Sequence, residues 1–395
     1  MVIKNIKINK HCFACNSKNL RLTLDLGVQP LANSYVDDVS ITEDVFPLKL
    51  NFCEDCTHLQ LSHTVHPDYL FKHYLYVSGT SKTSMDYFNW FVDFTKEYVP
   101  TAKTVLDIAC NDGSQLDCYY DLGFNTYGID PAENLLALSS KKSQVICDYL
   151  TQDNIKSFDV MFDIIIAQNV FAHNDYPDKF LLYCKDALHD DGCMFIQTSQ
   201  ANMITNNEFD TIYHEHLSFY SVKSFCAIAK RCGLNVIDVK RTALHGTSFV
   251  FVLSKIREDR SEFFINQENE ITIDLLANYS KKCREIANNL KTIIDEYKSQ
   301  GYTVVGYGAA AKGNTLLNFG QFDLDYIVDD NKLKHNLFTP GRHIPIKHTD
   351  TLIQETGNVV IVPLAWNFYE EIKQNVQKRK DSVKFIKYFP TIVIE

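Results

Sequence analysis

Between Thr104 and Ser254 short apolar runs alternate with polar stretches of helical period, and this alternation limits the possible folds more than any other feature of the chain. "TVLDIAC" reads as a buried strand, "NDGSQLDCYYDLG" as a turn, a helix and a glycine stop, and "TYGID" as the next strand, with "PAENLLALSSKK" a helix after it. "FDIIIAQNVFAH", "GCMFIQTS", "NVIDVKR" and "SFVFVLS" continue the pattern. The segment therefore predicts a doubly wound, Rossmann-like α/β sheet with ligands at the carboxyl ends of its strands. A polar stretch from Asp259 to Gly301 predicts one helix that bridges to a third segment. There "YTVVGYGAAAKGNTLLNFG", "LDYIVDDN", "HIPI", "NVVIVPLAW" and "VKFIKYFPTIVI" alternate again, so a second, smaller Rossmann-like sheet is expected. A chain of 395 residues exceeds one ordinary core, and the expected division is 1–75, 76–255 and 256–395.

The first segment has few helix signals and is too small to hold itself together by burial alone. Two CxxC hairpins, Cys12 with Cys15 and Cys53 with Cys56, supply a staple, because four thiolates at tetrahedral spacing suit Zn²⁺. A four-thiolate site leaves no position for water, so the metal is expected to be structural. His11, His58 and His63 are nearby substitutes should one thiol not be used. The other eight cysteines show no pairing pattern and read as small buried hydrophobes.

A net charge of −10 gives no global field for nucleic acid or an anionic membrane surface. No apolar run reaches the length of a membrane span, and the N-terminal lysines have no apolar signal core behind them, so a cytoplasmic location is expected.

Carboxylates at successive strand ends mark a cofactor site. Asp107 stands at the end of the first strand, and Gly113 lets the following loop approach a ligand closely. Asp130 ends the next strand, about twenty residues on, where a carboxylate can accept both hydroxyls of a ribose. Asp148 follows the third, where adenine would be held. A pyrophosphate wants a glycine-rich turn. Here the loop carries one glycine with Asn111 and Asp112, and Asp107 and Asp112 would repel a pyrophosphate. S-adenosylmethionine (SAM) is favoured over NAD.

"DTIYHEHLSFYS", Asp210 to Ser221, is a cluster that no core requires. Together with the double CxxC, "PLANSY" (Pro30 to Tyr35), "YLYVSGTSKTS" (Tyr74 to Ser84), "VLDIACNDGSQL", "AQNVFAH" (Ala167 to His173) and "GYGAAAKGNTLLNF" (Gly306 to Phe319), it resembles the sugar C-methyltransferase family over nearly the whole length. That resemblance implies an N-terminal zinc-binding domain, a SAM domain that includes Gln168, and a C-terminal domain that helps to hold a nucleotide-linked ketosugar. It implies methylation of carbon beside a ketone, with His216 as base and Tyr76, His173, Tyr213 and Glu215 around the sugar. The chemistry agrees: a proton beside a ketone needs a base and the enolate oxygen a stabiliser, and histidine titrates near neutrality. Glu215 could orient or charge an imidazole, and Tyr213 could donate to a sugar oxygen. His214 reads as a core or capping histidine. Gly306 and Gly308 are expected near phosphate, with Lys312 as counter-charge. No nucleic-acid or membrane partner is expected, and the chain is expected to be a monomer or a weak oligomer.

The match departs at "HGTSFV" (His245 to Val250), where Thr247 replaces an expected glycine and Val250 a basic residue. The competing expectation is an NAD(P)-dependent nucleotide-sugar oxidoreductase, since "GYGAAA" also fits a G-x-G-x-x-A fingerprint with Asp329 about twenty residues on. A non-enzymatic zinc protein that binds RNA is a third, disfavoured by the negative charge and the intact "YHEH".

Overall fold

The computed structural model describes residues 6–71, 79, 82–199, 203–242 and 247–395. Tyr76 and His245 therefore lie outside the described residues. Its largest sheet has seven strands. Numbered along the chain they are Thr104–Ile108, Asn125–Ile129, Gln144–Ile146, Phe162–Gln168, Leu188–Ser199, Asn235–Thr242 and Ser248–Ser254, and their order across the sheet is 3-2-1-4-5-7-6. The first five are parallel, and the last strand runs antiparallel between its two neighbours. Ile164, Ile165, Ile166 and Ala167 are all buried, as a strand covered on both faces requires. The order reverses between the first and fourth strands, and at such a switch point the loops part to leave a crevice.

The C-terminal sheet repeats the plan with six strands, Ile346–His348, Tyr326–Asp329, Thr303–Tyr307, Val359–Pro363, Lys384–Lys387 and Val393–Ile394 in spatial order, antiparallel only at the last pair. The stretch expected as one bridging helix is two, Ser261–Ile265 and Ile273–Ser299. Thr272 explains the second start, since its side chain accepts from the Leu275 amide and caps the long helix. Leu276, Tyr279, Cys283, Ala287, Leu290 and Ile294 form one buried stripe at helical spacing. The helix packs against both the N-terminal strand Leu20–Pro30 and the C-terminal strand Thr303–Tyr307, so it does bridge. The helix expected over "PAENLLALSSKK" shrinks to the single turn Glu133–Leu136.

The N-terminal sheet is antiparallel, Leu20–Pro30, Val45–Cys53 and Leu59–Leu61, and its fourth strand, Ser218–Phe219, comes from just beyond the "YHEH" cluster. Two matching hairpins stand at one end of it. The amides of Asn16 and Thr57 each donate at 2.9 Å to the carbonyl of the first cysteine of their hairpin, Cys12 and Cys53, and both residues have φ 64°. The sulfurs of Cys12, Cys15, Cys53 and Cys56 lie within 4.8 Å of one another, with Cys12–Cys56 and Cys15–Cys53 at 3.5 Å. Zinc–sulfur bonds of about 2.3 Å put tetrahedral sulfurs roughly 3.8 Å apart, so the quartet fits Zn²⁺. The histidine substitutes are not called on: His58 turns to the Ser218 hydroxyl and His63 to Ser62. Gently purified protein should carry one zinc per chain by metal analysis. Cys53→Ser should lose it and destabilise the N-terminal module first, by several of the roughly 10–16 kcal/mol a structural zinc contributes. Full stability after chelation would contradict a structural role.

Candidate active site

A cavity of about 590 Å³ opens at the carboxyl ends of the central strands. Asp107, Asn111, Asp130, Asp148 and Gln168 line one side, and His173, Tyr213, His216 and Lys312 the other. The two halves anticipated from separate stretches of sequence thus share one space.

The cofactor half is built by a loop that crosses the left-handed region three times, at Ala109 (φ 63°), Asn111 (φ 54°) and Gly113 (φ 79°). Asp130 holds this loop: its carboxylate accepts from the Asn111 amide at 2.9 Å and the Ala132 amide at 2.8 Å. Gly79 donates its amide to Asp112 at 3.1 Å, and a methyl group there would stand 2.0 Å from the Ser114 hydroxyl, so the backbone passes only as glycine. Gly113 begins the helix Ser114–Tyr120 behind the cavity wall and is not itself a lining residue. Asp148, bonded to the Tyr149 amide and to Asn154, sits exposed at the rim.

Burial holds the Asp107 carboxyl well above the usual carboxylate range, and the neighbouring Asp130 and Asp112 push the same way. Asp130 is raised too, chiefly by burial. Carboxyls crowded in a half-apolar cavity repel an anion and are relieved by a cation. The buried Asn169 Oδ1, on the same wall, has no partner among the described residues and offers an acceptor to an incoming donor. The donor set therefore fits SAM, with its sulfonium and ammonium, and disfavours a pyrophosphate. Sequence reasoning missed Asn169, whose φ of 56° follows from the turn after the strand. It also missed Gln115, which accepts from Gln168 at 2.9 Å and donates to the Phe88 carbonyl.

In the other half His216 Nδ1 lies 2.7 Å from the Thr211 carbonyl, which can only accept, so Nδ1 carries the proton. Nε2 is left with its lone pair and accepts from the Tyr213 hydroxyl at 2.7 Å, the two rings 4.0 Å apart. The His173 ring is 5.0 Å from that of His216, and burial pulls its pKa down to about 4, keeping it neutral. His214 faces the other way, donating toward the Phe46 carbonyl at 3.3 Å inside the core. Glu215 meets neither imidazole. Asn33 donates to its Oε1 at 2.6 Å, its Oε2 has no partner among the described residues, and burial pushes its pKa up to about 7.

Lys312 enters from the first turn of the C-terminal helix Ala311–Gly320, donating to Asn367 at 3.2 Å. The glycines before it do not line the cavity. Gly306 is strand interior against Ile327, Leu324 and Leu364, and Gly308 (φ 86°) packs on Ala365. Asp329 spends its carboxylate on the Ala309 and Asn331 amides, at 2.6 and 2.7 Å, and Lys334 lies 3.8 Å from it. Asp329 is thus tied to its loop as Asp130 is to the other, each carboxylate accepting from two backbone amides. Thr247, where glycine was expected, has φ 127°, a conformation that a β-branched residue rarely adopts.

Three family matches divide the chain: "Putative zinc binding domain" over residues 12–71, "Methyltransferase domain" over 86–239 and "C-methyltransferase C-terminal domain" over 243–390. The C-methyltransferase NovU of Streptomyces niveus is 26% identical over 386 residues, covering 92% of this chain and 91% of that protein. The chain is a SAM-dependent C-methyltransferase related to NovU. A ubiquinone biosynthesis O-methyltransferase of Glaesserella parasuis is 33% identical over 107 residues, covering 24% of this chain and 45% of its own. The plantazolicin methyltransferase BpumL, solved with SAH, is 15% identical over 44% of this chain and 86% of that one, at a TM-score of 0.38.

For this C-methyltransferase, Asp130→Ala should weaken SAM binding in calorimetry by about 1.5–3 kcal/mol, the range for hydrogen bonds to a charged group. Unchanged affinity would move the ribose elsewhere. Glu215 gives a stability test. Its raised pKa means that the native state holds a proton the unfolded chain releases, so its contribution is full below about pH 4.5 and is lost as pH rises to about 7. Glu215→Gln should therefore gain in melting temperature relative to the wild type across that window, whereas parallel curves would place the carboxyl in water.

Proposed function

We propose that this C-methyltransferase removes the proton beside the ketone of a nucleotide-linked ketosugar and methylates that carbon, C3 of a 4-keto-deoxysugar. The pathway would be unusual-sugar or surface-polysaccharide biosynthesis in the cytoplasm. The observation that carries this is the Tyr213–His216 pair, oriented and half-buried in the same cavity as the acid-lined cofactor wall. Transfer to carbon needs a carbon nucleophile, and a base held beside a ketone generates one.

SAM, when bound by Asp107, Asn111, Asp130, Asp148 and Gln168, supplies the methyl group. The chain's own part is to make the carbon reactive. His216 Nε2 takes the proton, and the positive charge that then spreads over the ring is met at Nδ1 by the Thr211 carbonyl. Tyr213, released from Nε2, can turn its hydroxyl to a sugar oxygen, and neutral His173 can bond another. Tyr76 is assigned to the same sugar. Three folding units, 1–75, 76–255 and 256–395, would assemble the site in a monomer or weak oligomer.

Labelled SAM and a panel of thymidine-, cytidine- and guanosine-diphosphate 4-ketosugars test this directly, the methyl being located by NMR. Label should reach carbon beside the ketone of at least one sugar, and labelling of oxygen alone would overturn the proposal. His216→Asn should lose at least about 10²-fold in turnover and, with S-adenosylhomocysteine in heavy water, the same factor in exchange of the ring proton. Full exchange in that variant would place the base elsewhere, with His173 the next to test.

A further inference from the structure

We propose that the Lys312 ammonium receives the charge that builds on the ketone oxygen as His216 takes the neighbouring proton, and that Asp210 is the positioning residue for that ammonium. The proposal rests on the ketosugar function above. In the step itself the C–H electron pair becomes the new C=C bond, the C=O π pair moves onto oxygen, and the proton goes to His216 Nε2. Lys312 meets the oxyanion through an N–H and gives up no proton.

Three observations carry it. An ammonium has three protons to donate, and among the described residues the one hydrogen bond of Lys312 is to Asn367. The others are available at the wall of the cavity that His216 also lines. Second, Lys312 rests on the face of Trp366, 4.5 Å from the ring centroid, and the same indole donates its N–H to Asp210 at 2.8 Å. Asp210 is completely buried, accepts also from Tyr388 at 3.4 Å, and its Oδ1 has no partner among the described residues. It thus fixes the indole edge while the cation lies on the indole face. Third, base and cation are registered on consecutive residues. Asp210 sets Trp366, the Thr211 carbonyl holds His216, and the Ile212 carbonyl accepts from Thr315, one helical turn from Lys312, at 2.9 Å.

Chemistry favours the oxyanion over the sugar's diphosphate as the partner. Glu208 and Asp210 both act electrostatically on Lys312. A dianion seated there would face two carboxyls, whereas one growing negative charge matches one ammonium. Burial lowers the Lys312 pKa and Asp210, then Glu208, opposes that, so the acids help to keep the amine charged.

The test uses the full chain, the ketosugar that the wild type methylates, and free nucleoside diphosphate as a separate probe. Lys312→Met should lose about 10²–10³-fold in both turnover and ring-proton exchange, while affinity for the free nucleoside diphosphate changes by less than about threefold. Lys312→Arg, which keeps charge and bulk, should recover part of the exchange, and S-adenosylhomocysteine binding checks that each variant is folded. Weakened nucleoside diphosphate binding with exchange retained at saturation would make Lys312 a phosphate ligand and overturn the proposal. Asp210→Asn should move the alkaline limb of the turnover profile to lower pH, because the group that raises the amine's pKa is gone. An unmoved limb would reduce Asp210 to a packing residue. If the wild type methylates none of the ketosugars, the assigned function fails by itself, before any variant is read.

Discussion

Because the Thr211 carbonyl can only accept, its contact with His216 decides which ring nitrogen carries the proton, and with it which nitrogen can act as a base. That carbonyl belongs to the turn Phe209–Thr211, against which the helix Ala311–Gly320 packs. The turn is buried throughout, so its polar groups depend on partners within the protein, and among the described residues Asp210 Oδ1 is the exception. Trp366 and Tyr388 answer Asp210, His216 answers Thr211 and Thr315 answers Ile212. Satisfying the backbone and aiming the side chains are here the same set of bonds.

The modules on either side are drawn in by the same logic. "PLANSY" reaches the turn region from the N-terminal module: Asn33 bonds Glu215, the Ala32 carbonyl accepts from Asn314, and Tyr35 donates to the Ala309 carbonyl. The strand Ser218–Phe219 then joins the N-terminal sheet. The cysteine quartet is thus coupled to the loop that carries Tyr213 and His216 through a shared sheet, which gives a structural metal an indirect hold on a site it never touches.

Much of this was legible in the sequence because periodicity and strand-end acids are local signals. The runs around Thr104–Ile108 and Phe162–Gln168 could be strands only in a covered sheet, and Asp107 and Asp130 sit where such strands end. The cysteine hairpins were equally plain. What could not be read were properties of three-dimensional contact. Glu215 and His216 are adjacent in sequence, yet one turns to Asn33 and the other to Thr211, and no spacing rule separates them. Gly306 looked like part of a phosphate loop, but its lack of a side chain serves packing against Leu364 and its neighbours. Asn169 and Gln115 matter through a left-handed turn and a bond across 53 positions. The break before Thr272 was hidden because Gln267, Glu268 and Glu270 are good helix formers, and the cap marks the boundary.

Nitrogen NMR of the resting enzyme, labelled at histidine and compared with His216→Asn to assign the signals, measures the central feature directly. The account predicts a neutral His216 with its proton on Nδ1 and an unprotonated Nε2. A proton found on Nε2 would leave no lone pair facing the cavity and would contradict the assignment of His216 as the base.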